Sequence, residues 1–214
     1  FGWGLSKIET LFLTSNEKVL ILDSDTVFIG PVLDYLNNFH EDFIISADYH
    51  DEPYADWMNL YYYDYKGLSD FDPTFIFPGY SFNTGQFVAT TGMLDRNDFE
   101  RVIKWQDPPK IKRSDIFACA DQGILNYILP KLVNENKVTL GKANLLLEIN
   151  NPIVDNFELE QLQLRSNYLP RVLHWAGSNT NLSKFMKRQD ILRFYFSQFN
   201  SLGNLSFNLK ELRR

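Results

Sequence analysis

Lys18-Val19-Leu20-Ile21-Leu22-Asp23-Ser24-Asp25-Thr26-Val27 is an apolar run that stops at two carboxylates. A short stretch of aliphatic and β-branched residues without alternation suits a strand covered on both faces, as in the parallel sheet of an α/β domain. Asp23 and Asp25 fall at its carboxyl end. In open α/β sheets ligands bind outside the carboxyl ends of the strands, where loops diverge and helix N-termini point inward. Side chains two apart in extended chain project to one side, so both carboxylates are placed to grip one hard divalent cation while Ser24 points away. The spacing alone is weak. Asp70-Phe71-Asp72 repeats it in a polar, Pro-flanked stretch where two solvated acids are expected.

Upstream of the run, Leu5, Ile8, Leu11 and Phe12 recur at helical spacing, with Thr14-Ser15-Asn16 closing the helix and Lys7 on its more polar face. Downstream, Gly30-Pro31 opens a short helix carrying Val32, Leu33 and Leu36. Phe43-Ile44-Ile45-Ser46-Ala47 reads as a second buried strand. Residues 48–80 are rich in Tyr, Asp and Pro and keep no period, which predicts a long irregular loop. Aromatic faces beside acids and hydroxyls suit a carbohydrate surface, and a loop packed on its own aromatics is the alternative. Ser81-Phe82-Asn83-Thr84-Gly85 is a turn or bulge leading into a strand at Gln86-Phe87-Val88-Ala89-Thr90.

Asn97 and Glu100 mark a helix start, with Phe99, Val102 and Ile103 as its apolar stripe. Asp121-Gln122-Gly123 opens a stronger helix, whose Ile124, Leu125, Ile128, Leu129 and Leu132 follow the i, i+3, i+4 rule. An acid at that terminus also complements the helix dipole. Short strands are expected near 138–140, 145–149 and 171–176. An amphipathic final helix carries Phe185, Met186, Leu192, Tyr195, Phe196 and Phe199, with Lys184, Lys187, Arg188 and Arg193 on other faces. Such a helix either docks on the domain or makes peripheral membrane contact.

At 214 residues, 44% hydrophobic and 22% charged, the chain has ordinary globular composition, and one domain is the default. A net charge of -6 argues against a nucleic-acid surface, because neutralising phosphates needs clustered Lys and Arg. The lone Cys119 excludes an internal disulfide and a Cys-rich zinc site, and its apolar neighbours predict a buried thiol. No stretch has the length of a membrane-spanning helix. The triplets Asn181-Leu182-Ser183 and Asn204-Leu205-Ser206 permit glycosylation in a secretory compartment.

Four stretches in this order, Lys7 with the Asp23-Ser24-Asp25 strand, Phe82-Asn83-Thr84-Gly85, Asp121-Gln122-Gly123-Ile124-Leu125-Asn126 and His174-Trp175-Ala176-Gly177, together resemble glycosyltransferase family 8, the group that includes glycogenin and bacterial lipopolysaccharide galactosyl- and glucosyltransferases. The resemblance spans nearly the whole chain. It implies a GT-A fold, an α/β architecture with a mixed, mainly parallel sheet flanked by helices. It also implies a nucleotide-sugar donor held through Mn²⁺, with Mg²⁺ as the alternative, and hexosyl transfer to a carbohydrate or glycoconjugate with retention of configuration. By the same resemblance Asp23, Asp25 and His174 are metal ligands, and Asp121 and Gln122 flank the anomeric carbon. Lys7, Asp23, Ser24, Asn83, Thr84, Gly85, Gly177 and Lys184 are implied at the donor. The resemblance leaves the compartment open, cytoplasmic or Golgi-lumenal depending on organism.

Two departures qualify the pattern. Where the family's late motif continues to a diphosphate-gripping Lys, Ser178-Asn179-Thr180 has none, and Lys184 is the nearest substitute. The family's first strand and helix, which hold the nucleoside, have no counterpart before Phe1, so an N-terminally incomplete domain is expected. Two other readings share the residues. Leu22-Asp23-Ser24-Asp25-Thr26 also resembles the first motif of haloacid-dehalogenase-type phosphatases, and a catalytically silent sugar- or nucleotide-binding module fits the absent Lys.

Overall fold

A computed structural model describes residues 4–117, 119–159, 170–176 and 186–202. These residues form mixed α/β structure. The chain divides into two compact units, one bounded by Phe1–Ser24 and Leu33–Leu146, the other by Asp25–Val32 and Leu147–Arg214.

In the first unit, α1 (Leu5–Thr10) buries Leu5 and Ile8 and is followed by β1 (Lys18–Leu22). The short α2 (Val32–Leu36) begins after Pro31, as the fixed φ of proline favours. Strands β3 (Phe43–Ile45), β6 (Gln86–Thr90) and β9 (Leu140–Lys142) join β1 in the order β1-β6-β3-β9. Val19 and Ile21 stand opposite Ala89 and Phe87, and this face packs on the main core with Ile8, Phe43, Phe99 and Leu125.

The sheet corrects the expectation of a mainly parallel arrangement. β1/β6 and β3/β6 are antiparallel, and only β3/β9 is parallel. An unalternating apolar run reports burial and not strand direction. Even that burial is partial: among the described residues β1 pairs on one side only, with β6, and Leu22 is 36% exposed.

The stretch read as one long loop contains β4 (Ala47–Tyr49), α3 (Asp56–Tyr61), α4 (Tyr65–Phe71) and β5 (Tyr80–Phe82), with β4 pairing antiparallel to β5. Helices of six and seven residues rich in aromatics leave no period to read, and tertiary contacts decide them. Met58 and Leu68 anchor the two helices in the core, and the Asp64 carboxylate caps α4 by accepting the Lys66 N–H.

A second correction falls in α5 (Arg96–Phe99). Its cap is Asp95 in a reciprocal box with Asp98, two residues before the expected Asn97, and Ile103 lies beyond the helix in β7 (Ile103–Lys104), paired with β8 (Lys110–Ile111). The third concerns Asp72, expected in solvent but 1% exposed. Its carboxylate accepts from Thr74 Oγ1 at 2.6 Å, Tyr127 Oη at 2.6 Å and Lys131 Nζ at 2.5 Å.

The longest helix of this unit, α6 (Ala120–Asn134), buries nearly every apolar position from Ile124 to Leu132. Gly123 lets it approach the backbone, since a Cβ there would stand 2.1 Å from the Tyr62 carbonyl oxygen.

The second unit holds β2 (Thr26–Ile29), β10 (Leu146–Glu148) and β11 (Arg171–His174) in the order β10-β11-β2, with β11 antiparallel to β2. A turn, α7 (Pro152–Asp155), is capped by Asn151, and the final helix is α8 (Gln189–Leu202). Ile191 is fully buried with Ile29, Leu147, Ile149, Val154, Leu173 and Trp175, so one face of α8 docks on this unit's core. The Trp175 indole N–H donates to the Lys187 carbonyl at 2.8 Å, fixing the approach to that helix. No helix among the described residues is long and apolar enough to cross a membrane.

Candidate metal centre

The Asp-Ser-Asp stretch is a turn and not the end of one continuous strand. β1 stops at Leu22, Ser24 and Asp25 turn, and β2 starts at Thr26 in a different sheet. The acids are therefore neighbours because one residue separates them across a turn, and strand alternation is not the cause.

In the second unit, the ladder of β11 on β2 ends with His174 opposite Thr26. One step further the Trp175 N–H donates to the Asp25 carbonyl at 3.1 Å. The register thus carries the His174 ring to the side chain of Asp25, where Nε2 lies 3.3 Å from Oδ1. His174 is buried and Asp25 partly so. Asp25 and His174, with Asp23 two residues earlier in the chain, form a group that could hold a metal ion. The donors are two carboxylates and an imidazole, a mixed oxygen and nitrogen set that suits first-row divalent ions and magnesium-like cations, and contains no soft sulfur ligand.

In the first unit, the Asp23 N–H donates to the Gly85 carbonyl at 2.7 Å, continuing the β1/β6 ladder past the pairing of Leu22 with Gln86. This places Asp23 beside the Asn83-Thr84-Gly85 turn, which the Asn83 side chain closes by accepting the Gly85 N–H at 2.6 Å. Lys7, expected on a polar face, instead reaches inward. Its ammonium lies 2.6 Å from Asp23 and 3.5 Å from Asp121, and donates to the Thr84 carbonyl at 3.0 Å.

Asp121 accepts from Thr84 Oγ1 at 2.8 Å, and Gln122 accepts the Thr84 N–H at a longer 3.4 Å while its amide donates to the Tyr61 carbonyl at 2.7 Å. The start of α6 therefore grips the turn with two consecutive side chains, a stronger engagement than a helix-dipole contact. Gly4, at φ 97°, makes room for it: a Cβ there would fall 2.2 Å from Asp121 Oδ1.

Ser24 is exposed in the turn. Gly177 and Lys184 lie outside the described residues, as do both glycosylation triplets. Cys119, read as buried, is half-buried; its thiol donates to the Leu60 carbonyl at 3.2 Å, and burial with the nearby Asp121 carboxylate pushes it up from the ordinary thiol value.

Asn126 was not singled out for a role. Its side chain brackets the Phe82 backbone, donating to the carbonyl and accepting the N–H, both at 2.8 Å, and so positions the strand that delivers the 83–85 turn. The signal was an amide inside the apolar stripe of α6, where only a fully bonded polar group is tolerated.

A scan against protein-family models and a search of curated proteins found no match to this chain.

Proposed function

We propose that the chain is a metal-dependent retaining glycosyltransferase of the GT-A type, moving a hexosyl group from a nucleotide-sugar donor, a uridine diphosphate sugar in the first instance, to a hydroxyl of a saccharide or glycoconjugate. The observation that carries the reading is the pairing of Asp25 with His174, residues 149 positions apart in sequence, next to Asp23. The four ordered motifs support it, three of them converging in the first unit on Thr84.

Asp23, Asp25 and His174 would hold the ion, Mn²⁺ by preference. When bound, a divalent ion supplies positive charge against the diphosphate leaving group. The remaining roles belong to the chain itself. The Lys7 ammonium is held between two carboxylates and a carbonyl, so it is oriented before any ligand arrives and can meet negative charge as it develops on the departing phosphate. The Asn83 side-chain amide, whose oxygen accepts the Gly85 N–H, would present its N–H donors to sugar hydroxyls, and Thr84 holds the turn through Asp121 and Gln122. The Asp121 carboxylate and the Gln122 carbonyl are the groups available to stabilise a cationic anomeric carbon. In retaining transfer without a covalent intermediate, the acceptor hydroxyl enters on the leaving-group face and gives its proton to the departing phosphate.

The test is donor hydrolysis and transfer with uridine diphosphate glucose or galactose and Mn²⁺, followed by NMR of the product. Metal-dependent release of nucleotide with an α-linked product from the α-linked donor is expected. Lys7→Met should lower turnover by roughly 100-fold, the scale of losing one preorganised group at a developing charge. Phosphate release from simple phosphomonoesters without any nucleotide-sugar activity would replace this reading with the phosphatase one, and donor binding without turnover would replace it with the silent module.

A further inference from the structure

Residues 49–61 of the first unit concentrate exposed aromatic surface. Tyr49, Tyr54, Trp57 and Tyr61 are each between 37% and 68% exposed, within thirteen consecutive residues. Three of these rings are braced, Tyr49 edge-on against Tyr80 at 6.3 Å. Trp57 packs edge-on against His50 at 4.4 Å, Tyr54 against Tyr65 at 5.0 Å, and His50 is itself fixed by Ser81 Oγ at 2.8 Å. Rings held this way lose little further conformational entropy on binding, which distinguishes a recognition surface from stray exposed aromatics.

Four exposed acids lie beside the rings, with the exposed Asn59 among them and the Lys142 ammonium over the Tyr49 ring at 5.2 Å. Asp48, Asp51, Glu52 and Asp56 are all exposed. Carboxylates accept hydrogen bonds from hydroxyls, and aromatic faces cover the C–H faces of pyranose rings. A phosphorylated or nucleic-acid ligand would be repelled, and so would an anionic lipid surface.

The stretch also ends at the candidate site. The Tyr61 carbonyl accepts from Gln122 and the Leu60 carbonyl from Cys119, which ties the C-terminal end of α3 to the start of α6, where Asp121 and Gln122 lie.

We propose that the exposed aromatic and acidic face of residues 49–61 is a docking platform for a neutral oligosaccharide, and that in the transferase reading, on which this role rests, the bound saccharide is the acceptor. Trp57 and Tyr61 supply the stacking faces, and the Gln122 link sets the distance from the platform to the reacting centre.

The experiment is affinity electrophoresis of the 214-residue chain in native gels containing glycogen, a β-glucan or a galactomannan, run in EDTA without donor. Retardation in at least one of these is expected, reduced at least fivefold in Tyr61→Ser, whose ring is half exposed, and in Trp57→Ala, whose ring also packs on His50 and Tyr62, with unchanged circular dichroism showing that each variant is folded. Donor hydrolysis in the absence of acceptor should be unchanged in both variants. No retardation in any gel overturns the platform, as does retardation that survives both substitutions. So does a concentration-dependent dimer or vesicle binding abolished by the same substitutions, since the face would then serve a second copy or a lipid surface. Retardation in EDTA from a chain that never hydrolyses a nucleotide sugar leaves the platform standing and removes the transferase reading instead.

Discussion

Asp25→Ala is expected to abolish divalent-metal binding and metal-dependent donor hydrolysis while leaving the chain folded. The carboxylate lies 3.3 Å from the His174 ring, and its removal takes one of three donors from the group. Losing only an outer-shell partner of a ligand costs metal affinity about 10–100-fold, so losing the ligand itself should exceed that. The fold has little reason to respond. Asp25 binds Trp175 through its backbone carbonyl, which alanine retains, and its side chain is partly in solvent. Calorimetric titration with Mn²⁺, beside circular dichroism, checks both halves. Wild-type affinity in the variant would mean that Asp25 and His174 are a structural pair.

Asp72→Ala should have the largest effect on stability, at a position with no part in the proposed chemistry. Its carboxylate is the common acceptor for Thr74, Tyr127 and Lys131, with Arg101 also at 3.1 Å. Removing one partner of a buried ionic cluster costs about 3–5 kcal/mol. Lys131 and Arg101 keep partial access to water, which favours the lower end, whereas the Tyr127 hydroxyl would lose its acceptor inside the core.

The pH dependence follows from the same contacts. Burial opposes ionisation of Asp72, but the hydrogen bonds from Lys131, Thr74 and Tyr127 outweigh it and hold the carboxyl far below the usual carboxylate range. Burial and that carboxylate together push the Tyr127 phenol up, so tyrosine stays the donor. A carboxyl depressed by folding contributes stability that is fully present above its unfolded value, roughly 4, and is lost as pH falls toward the folded one. Denaturant titrations should therefore show the stability gap between wild type and Asp72→Asn wide at neutral pH and narrowing below about pH 4. A gap that stays constant down to pH 2 would remove the ionic account.

The parts legible in the sequence were those with a strong period or a local stereochemical reason. The stripe of Ile124, Leu125, Ile128, Leu129 and Leu132 gave α6, and Pro31 gave the start of α2. The nearness of His174 to an acid came from the resemblance and from neither residue's own surroundings, because only the β2/β11 register brings them together.

What could not be read was set by long-range contacts. Nothing in residues 86–90 says that β6 runs antiparallel to both β1 and β3. The polar, Pro-flanked setting of Asp70-Phe71-Asp72 set it apart from Asp23-Ser24-Asp25 as a solvated pair, and yet Asp72, the acid expected in solvent, is the one that anchors α6. Lys7 shows the same limit from the other side. Helical spacing put it on the polar face, yet that face of α1 looks toward Asp23 and Asp121.

The central claim is that Asp23, Asp25 and the His174 imidazole take one divalent ion. The chain has three histidines, His40, His50 and His174, so ring resonances in a ¹⁵N-edited spectrum can be assigned by substitution. Substoichiometric Mn²⁺ should broaden the His174 ring signal first, with His40 and His50 persisting, and the broadening should vanish in Asp25→Ala. Equal loss of all three signals, or loss of His50 ahead of His174, would contradict the claim.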